Sequence, residues 1–216
     1  MPQITANGLT FEYDAHGPED GEVLLLIMGL GAQMIAWPMD LVQNLADRGF
    51  RVVRYDNRDV GLSHKLDHLG VPDMPAIYTA LMAGQKPPAP YFLSDMAADA
   101  AGVMDALEIE RAHVVGASMG GMIAQMVAAE HPHRVLSLTS IMSTTGNPAL
   151  PPAKPEAMER LTNRGPDPAV DLEAFLDHGI EGSKVLAGPA FAADLDELRA
   201  QLRATYERSF YPVGFA

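Results

Sequence analysis

Largely apolar runs alternate with helical patterns over residues 9–145 of this chain. Four runs stand out, at Val23–Met28, Phe50–Tyr55, Ala112–Val115 and Val135–Met142. Continuous apolar runs of this kind are typical of strands that are buried on both faces. Their alternation with helices predicts a mostly parallel sheet with helices on both faces, which is an α/β fold.

The segments around these runs carry their own signals. Leu9–Tyr13 alternates like a strand, and the Gly- and Asp-rich segment Asp14–Gly21 predicts a hairpin turn. Residues 56–92, which are rich in Pro and Gly, predict a long loop. Helices are expected over Asp95–Glu108, which follows a serine suited to capping, and over Met119–Glu130.

The strand pattern stops after residue 145. Asn147–Pro155 contains four prolines, which is typical of a linker or hinge. The segment from Glu156 to Phe210 carries helical patterns and no strand pattern. We therefore expect two domains, an α/β core over residues 1–145 and a helical cap or lid over residues 146–216.

A Gly-x-Ser-x-Gly motif lies between the third apolar run and the helix that follows it. The motif is Gly116-Ala-Ser118-Met-Gly120, followed by Gly121. A serine on such a strand-to-helix turn adopts a strained backbone conformation, which only small neighbours permit. The turn exposes the hydroxyl of Ser118 and aims the backbone N–H of Met119 at a carbonyl oxygen that gains negative charge. The alternative is a glycine-rich turn with an idle serine.

A second glycine-rich turn follows the first apolar run. In Met28-Gly29-Leu30-Gly31, the glycines allow the backbone to approach a ligand closely. An oxyanion hole needs two N–H donors, and the N–H of Leu30 is the candidate for the second. The alternative is a turn that serves only chain reversal.

Together these segments resemble a known family, the α/β-hydrolase superfamily. The branch that matches best is that of serine esterases, which includes aclacinomycin methylesterase. The segments that carry the resemblance are Leu24–Gly31, Arg54–Ser63, Ala97–Leu107 and Ala112–Gln125. The resemblance covers about residues 9–145 and is weaker over the helical tail, which corresponds to the cap domain of the family.

The resemblance implies roles for particular residues. Ser118 would be the nucleophile, and the backbone N–H groups of Leu30 and Met119 would form the oxyanion hole. Asp56 and Arg58 lie in a turn similar to the family's Asp-x-Arg-x-x-Gly-x-Ser turn. We interpret these two residues as structural, since the turn mainly organises the loop beside the site.

The resemblance also implies an acid and a histidine that follow Ser118 in chain order. The sequence given ends at Ala216, where the cap is expected to lead back into the sheet. We therefore expect the acid, the histidine and the last strands to come from sequence beyond Ala216 or from a second polypeptide. His178 is the only histidine expected to be able to reach the site. His64 and His68 are four residues apart but lack the glutamate of His-Glu-x-x-His.

Composition excludes several classes of partner and chemistry. The net charge is −13, which argues against nucleic acid or an anionic membrane surface as the main partner. The absence of cysteine excludes disulfides and thiolate chemistry. There is no phosphate-binding loop, dinucleotide motif or convincing metal pattern, so we expect no cofactor and no metal. The N-terminus lacks a secretory signal, and the longest apolar run is far short of the about 20 residues that a membrane span needs. We expect a soluble, cytoplasmic protein.

The sequence therefore predicts a serine hydrolase that cleaves a carboxylic ester through an acyl-enzyme on Ser118. The expected substrate is a small to medium apolar ester, such as a methyl ester or a lactone, because no basic cluster marks the Ser118 loop. C–C hydrolases and cofactor-free perhydrolases share this chemistry and remain open. The alternative from another class is a non-catalytic ligand-binding or partner subunit on a hydrolase scaffold.

Overall fold

The computed structural model describes residues 2–147, 149–163, 165–187 and 193–212. The chain divides into two compact units. The first contains residues 1–145 together with the residues from Ser209 onward, and the second is Gly146–Arg208.

The described residues of the first unit form a six-stranded sheet and four α-helices. The strands are β1 (Gln3–Ala6), β2 (Leu9–His16), β3 (Glu22–Ile27), β4 (Phe50–Tyr55), β5 (Ala112–Ala117) and β6 (Val135–Ile141). The helices are α1 (Met39–Ala46), α2 (Met74–Met82), α3 (Leu93–Ala106) and α4 (Met119–Glu130).

The strands lie in the order β1-β2-β4-β3-β5-β6. The β4-β3-β5-β6 part is parallel, whereas β1 and β2 are antiparallel to their neighbours. This confirms the mostly parallel sheet predicted from the apolar runs. Parallel neighbours place the ends of β3 and β5, and the turns that follow them, at one edge of the sheet.

Both faces of the sheet are covered around β3 and β5, where alternate residues point to opposite sides. Leu25 and Ile27 of β3 belong to a cluster with buried residues of α3 and α4. Leu24 and Leu26 belong to a second cluster, which includes Val42 of α1. These two apolar layers hold β3 and β5 rigidly in place. The prediction that the run at Val135–Met142 is buried on both faces is wrong, because most residues of β6 are exposed.

The predicted hairpin turn at Asp14–Gly21 is wrong, because β2 and β3 on its two sides are not neighbours in the sheet and β4 lies between them. Residues 14–16 continue β2 and pair with β4, where Asp14 lies opposite Arg54. The side chain of Arg54 is only 3% exposed and donates from Nε and Nη2 to the two carboxylate oxygens of Asp14, each at 2.8 Å. A buried guanidinium needs such a partner, so the ion pair overrides the turn preference of Asp14.

The predicted long loop over residues 56–92 contains helix α2. The side chain of Asp73 accepts a hydrogen bond from the N–H of Ala76 at 3.0 Å, and Pro75 lies in the first turn. These are ordinary signals for a helix start. The predicted helix over Asp95–Glu108 instead begins at Leu93, because the Asp95 carboxylate accepts from the N–H of Phe92 at 2.7 Å.

The second unit contains the helices α5 (Pro155–Thr162), α6 (Leu172–Leu186) and α7 (Leu195–Arg208). No strand occurs in the described part of this unit, which agrees with the helical pattern. Arg199 of α7 forms ion pairs with Glu173 and Asp177 of α6. Across the ranges that the structure describes, no helix is long and apolar enough to cross a membrane.

Candidate active site

Ser118 lies between the end of β5 and the first residue of α4. Its backbone has φ 55° and ψ −123°, a conformation that residues with a side chain rarely adopt. The N–H of Ser118 donates to the carbonyl of Ile141 at 3.0 Å, and its own carbonyl accepts from the N–H of Gly121 at 2.9 Å. The strained turn is thus anchored by β6 on one side and by α4 on the other.

The three glycines around Ser118 are each required by close packing, against backbone at Gly116 and Gly120 and against side chains at Gly121. A Cβ atom at Gly116 would lie 2.0 Å from the carbonyl oxygen of Gly120. One at Gly120 would lie 2.1 Å from the carbonyl oxygen of Ile27, and one at Gly121 would lie 2.6 Å from the Cβ of Ser143. Helix α4 therefore approaches the strand ends more closely than any side chain would allow.

The turn after β3 lies directly against Ser118. A Cβ atom at Gly29 would be 3.0 Å from the Cβ of Ser118 and 3.4 Å from its Oγ. The turn is held by the side chain of Asn57, which donates to the carbonyl of Met28 at 2.8 Å. The two glycine-rich turns that the sequence analysis singled out are therefore neighbours.

Strand register places the two candidate N–H donors. Ile27 of β3 pairs with Gly116 of β5 in the parallel ladder. Leu30 and Met119 each lie three residues beyond this pair, so both follow the same edge of the sheet. Met119 begins α4, and N–H groups in a first helical turn have no partner within the helix. Leu30 is 51% exposed. Backbone N–H groups without a partner in the protein can stabilise negative charge that develops on a carbonyl oxygen.

Asp56 and Arg58 lie in a buried network beside these turns. The Asp56 carboxylate accepts hydrogen bonds from the N–H groups of Met34 at 2.7 Å and Leu62 at 2.9 Å. Arg58 donates to both carboxylate oxygens of Asp99, at 2.6 and 2.7 Å. These contacts agree with a structural role for Asp56, while Arg58 also lines a cavity.

The described contacts of two histidines bear on their role. His178 has Nδ1 at 3.3 Å from Arg160 Nη1 and Nε2 at 3.3 Å from the carbonyl oxygen of Asn163, all within the second unit. His113 lies near the start of β5, at the opposite end of the strand from Ser118. Among the described residues, no side chain forms a hydrogen bond with Ser118 Oγ, and no group of three His, Asp or Glu residues is arranged to bind a metal.

A cavity of about 190 Å³ opens beside the two turns within the first unit. The residues that line it include Leu30, Met119, Arg58, Asp59, Tyr91 and Tyr211. Sequence reasoning missed Tyr91 and Tyr211, which are distant in the chain and carry no motif. Both candidate N–H donors belong to residues at the cavity wall.

The two tyrosines hold their protons at neutral pH. Burial and the neighbouring carboxylate of Asp59 raise the pKa of Tyr91 well above its usual value. Partial burial and a hydrogen bond that its hydroxyl donates to Asp67 at 2.6 Å raise the pKa of Tyr211 to about 12. The cavity is therefore lined by neutral phenols and apolar side chains, together with the side chains of Arg58 and Asp59.

Comparison with known proteins places this chain in a family. The profile of the family described as alpha/beta hydrolase fold matches residues 22–169. A rhodomycin D methylesterase from Streptomyces peucetius is 30% identical over 91% of this chain and 65% of its own length. The chain thus spans 65% of the length of that curated relative.

Solved structures share the fold. A meta-cleavage product hydrolase from Pseudomonas fluorescens IP01 has a TM-score of 0.71 at 19% identity, covering 100% of this chain and 67% of that one. An enol-lactonase from Burkholderia xenovorans LB400 has a TM-score of 0.60 at 23% identity, covering 99% of this chain and 70% of that one. With its mostly parallel sheet and its serine on the turn after β5, the chain belongs to the α/β-hydrolase fold family.

Proposed function

We propose that this chain carries the nucleophile and the oxyanion hole of a carboxylic ester hydrolase. The observation that carries the proposal is the strained turn at Ser118, which lies beside the glycine-rich turn at Gly29. The relative from Streptomyces peucetius, which is named as a methylesterase, supports ester hydrolysis.

In the proposed reaction, Ser118 Oγ attacks the carbonyl carbon of the ester. A carbon–oxygen bond forms, and the electron pair of the carbonyl moves to its oxygen. The N–H groups of Leu30 and Met119 stabilise that oxyanion. The hydroxyl proton passes to a histidine. The electron pair on the oxyanion then re-forms the carbonyl as the carbon–oxygen bond to the alkoxide breaks, and the histidine gives its proton to the alkoxide, which departs as an alcohol. Water adds to the acyl-enzyme by the same steps, releasing the acid and restoring the Ser118 hydroxyl.

We place the histidine base and its orienting carboxylate in sequence beyond Ala216 or in a second polypeptide. Two observations support this placement. No side chain among the described residues forms a hydrogen bond with Ser118 Oγ, and the ring nitrogens of His178 have partners within the second unit. The base is needed because a serine hydroxyl alone is a weak nucleophile at neutral pH.

The proposed substrate is a small to medium apolar ester, such as a methyl ester or a lactone. Apolar side chains of Leu66, Met74 and Ile77 line the cavity that Leu30 and Met119 also border. The name of the methylesterase relative and the enol-lactonase among the similar folds are consistent with this class.

Hydrolysis of p-nitrophenyl butyrate by the purified protein, with every polypeptide that accompanies it, tests the proposal. We expect turnover that Ser118→Ala lowers by about 10⁴-fold or more. Ser143→Ala is the matched control, because Ser143 also packs against α4, and it should retain the activity. Turnover that survives Ser118→Ala contradicts the mechanism.

A ligand-binding subunit without catalysis is the second candidate. It is favoured by one observation, the lack of any described side chain that bonds to Ser118 Oγ. Saturable binding of the ester without turnover, and without an acyl adduct in the intact mass of the protein, would support it over the hydrolase.

A further inference from the structure

Two of the three guanidinium nitrogens of Arg58 form hydrogen bonds within the protein, and the third can donate to a ligand. Nε and Nη2 donate to Asp99 at 2.6 and 2.7 Å, and Nη2 also donates to the carbonyl of Asp95 at 3.3 Å. Nη1 has no acceptor among the described residues. It is also not among the fully buried side-chain nitrogen and oxygen atoms that lack a hydrogen-bond partner, so it is not closed off from solvent. The side chain is only 8% exposed, and the open space it lines is the cavity.

The neighbours of Arg58 favour a neutral ligand oxygen over a carboxylate. Asp99 already balances the charge of the guanidinium, and Asp59 lies at the same cavity wall. The Asp59 carboxylate accepts from the N–H of Leu66 at 2.7 Å and interacts with the Tyr91 hydroxyl. An anionic ligand would meet Asp59, whereas a carbonyl, ether or hydroxyl oxygen would accept from Arg58 without that repulsion.

The rest of the cavity fits a ring-sized apolar group. Its volume is about 190 Å³, and a cavity of roughly 150 Å³ is enough to bind benzene. Apolar side chains of Leu69, Met74 and Met96 contribute to its walls. Arg58 also lies over the ring of Tyr91, 4.9 Å from its centroid, which holds the guanidinium in one orientation.

We propose that this cavity binds the part of the substrate that lies away from the reacting carbonyl. The group it accepts is apolar, about the size of a ring, and carries one neutral oxygen that takes a hydrogen bond from Arg58 Nη1. The inference rests on the proposed function, because Leu30 and Met119 at the cavity wall connect it to the carbonyl. Arg58 would then determine specificity in addition to supporting the loop.

A matched pair of esters tests this inference. Methyl 4-phenylbutanoate and methyl 4-oxo-4-phenylbutanoate differ only in a ketone oxygen that replaces two hydrogens. Their dissociation constants are measured by calorimetry on the Ser118→Ala protein, so that binding is read without turnover. We expect the keto ester to bind about tenfold more tightly, as for a hydrogen bond to a charged group.

Two further variants separate ligand contact from support of the fold, both made in the Ser118→Ala background. Asp99→Asn keeps the guanidinium, and the preference for the keto ester should persist. Arg58→Met combined with Asp99→Asn removes the guanidinium without leaving a buried unpaired carboxylate, and the preference should fall to about one. A purely structural role would change the binding of both esters alike.

Equal binding of the two esters by the Ser118→Ala protein overturns the inference, and so does failure of both to bind. This comparison does not depend on whether the Arg58 variant folds. A preference that survives the loss of Arg58 overturns it as well. The proposed function is judged separately by turnover of p-nitrophenyl butyrate, so the two can fail independently.

Discussion

Replacement of Ser118 by glycine should leave the protein more stable than replacement by alanine. Both substitutions remove the hydroxyl, so they differ only in the Cβ atom and in the backbone freedom that depends on it. Ser118 has φ 55° and ψ −123°, a region that glycine enters freely and alanine does not. The usual cost of such a conformation is about 1–3 kcal/mol.

Glycine also has a cost, because it loses about 0.5–1 kcal/mol more conformational freedom on folding than alanine. The difference in the free energy of unfolding is therefore about 0.5–2 kcal/mol in favour of glycine. For a chain of this size, that corresponds to roughly 1–8 °C in Tm. Urea unfolding followed by circular dichroism measures it directly.

Asn44 provides the control, because it lies exposed within helix α1 of the same unit. There the order should reverse, with glycine about 1 kcal/mol less stable than alanine. If Ser118→Gly is no more stable than Ser118→Ala while Asn44 behaves as expected, the turn stores no strain and the reasoning is refuted.

Three other predictions follow from single positions. Gly120→Ala should abolish folding, because the added Cβ would lie 2.1 Å from a backbone oxygen. Gly182→Ala should instead stabilise α6 by about 0.5–1 kcal/mol, because its Cβ would meet no atom within 4 Å. Thermal unfolding compares the two variants. Asp56→Asn should lower the free energy of unfolding by about 1–3 kcal/mol, because the buried side chain accepts from two N–H groups and the amide keeps only one acceptor oxygen. Urea titration measures this loss. The pKa of Tyr211 is raised to about 12, so the neutral phenol stabilises the fold, and this contribution should decline as pH rises from about 10 to 12. A titration followed by tyrosinate absorbance measures it. The prediction is contradicted if Tyr211→Phe leaves the component near pH 12 unchanged.

Much of the sheet could be predicted from local chemistry. The bounds of β4 and α4 match the sequence patterns at both ends. Burial on two faces marks β4, and the glycine-rich turn at Ser118 marks the start of α4. The glycine-rich turns around Ser118 were also found, and the Ile27–Gly116 register explains why they meet. The roles assigned to Ser118, Leu30 and Met119 remain predictions that the experiments above test.

What sequence reasoning missed depends on contacts between distant residues. The extension of β2 is stabilised by an ion pair between Asp14 and Arg54, which are 40 residues apart. Helix α2 was missed because Asp73 and Pro75, which mark its start, occur within a segment rich in loop-forming residues. The cavity depends on Tyr211, which lies 144 residues from the Asp67 it contacts, and no local pattern predicts such a pairing.

The register of β3 against β5 has a consequence for how such a protein can change. The turns at Gly29 and Ser118 are spaced by paired strands whose next neighbours are also strands, and Asn57 holds the first of these turns. Insertions or deletions later in the segment, over residues 67–92, would alter which molecules fit while leaving the spacing of the two turns unchanged. Chemistry and selectivity can therefore diversify at different rates, with the glycine turns held constant and residues 67–92 free to vary.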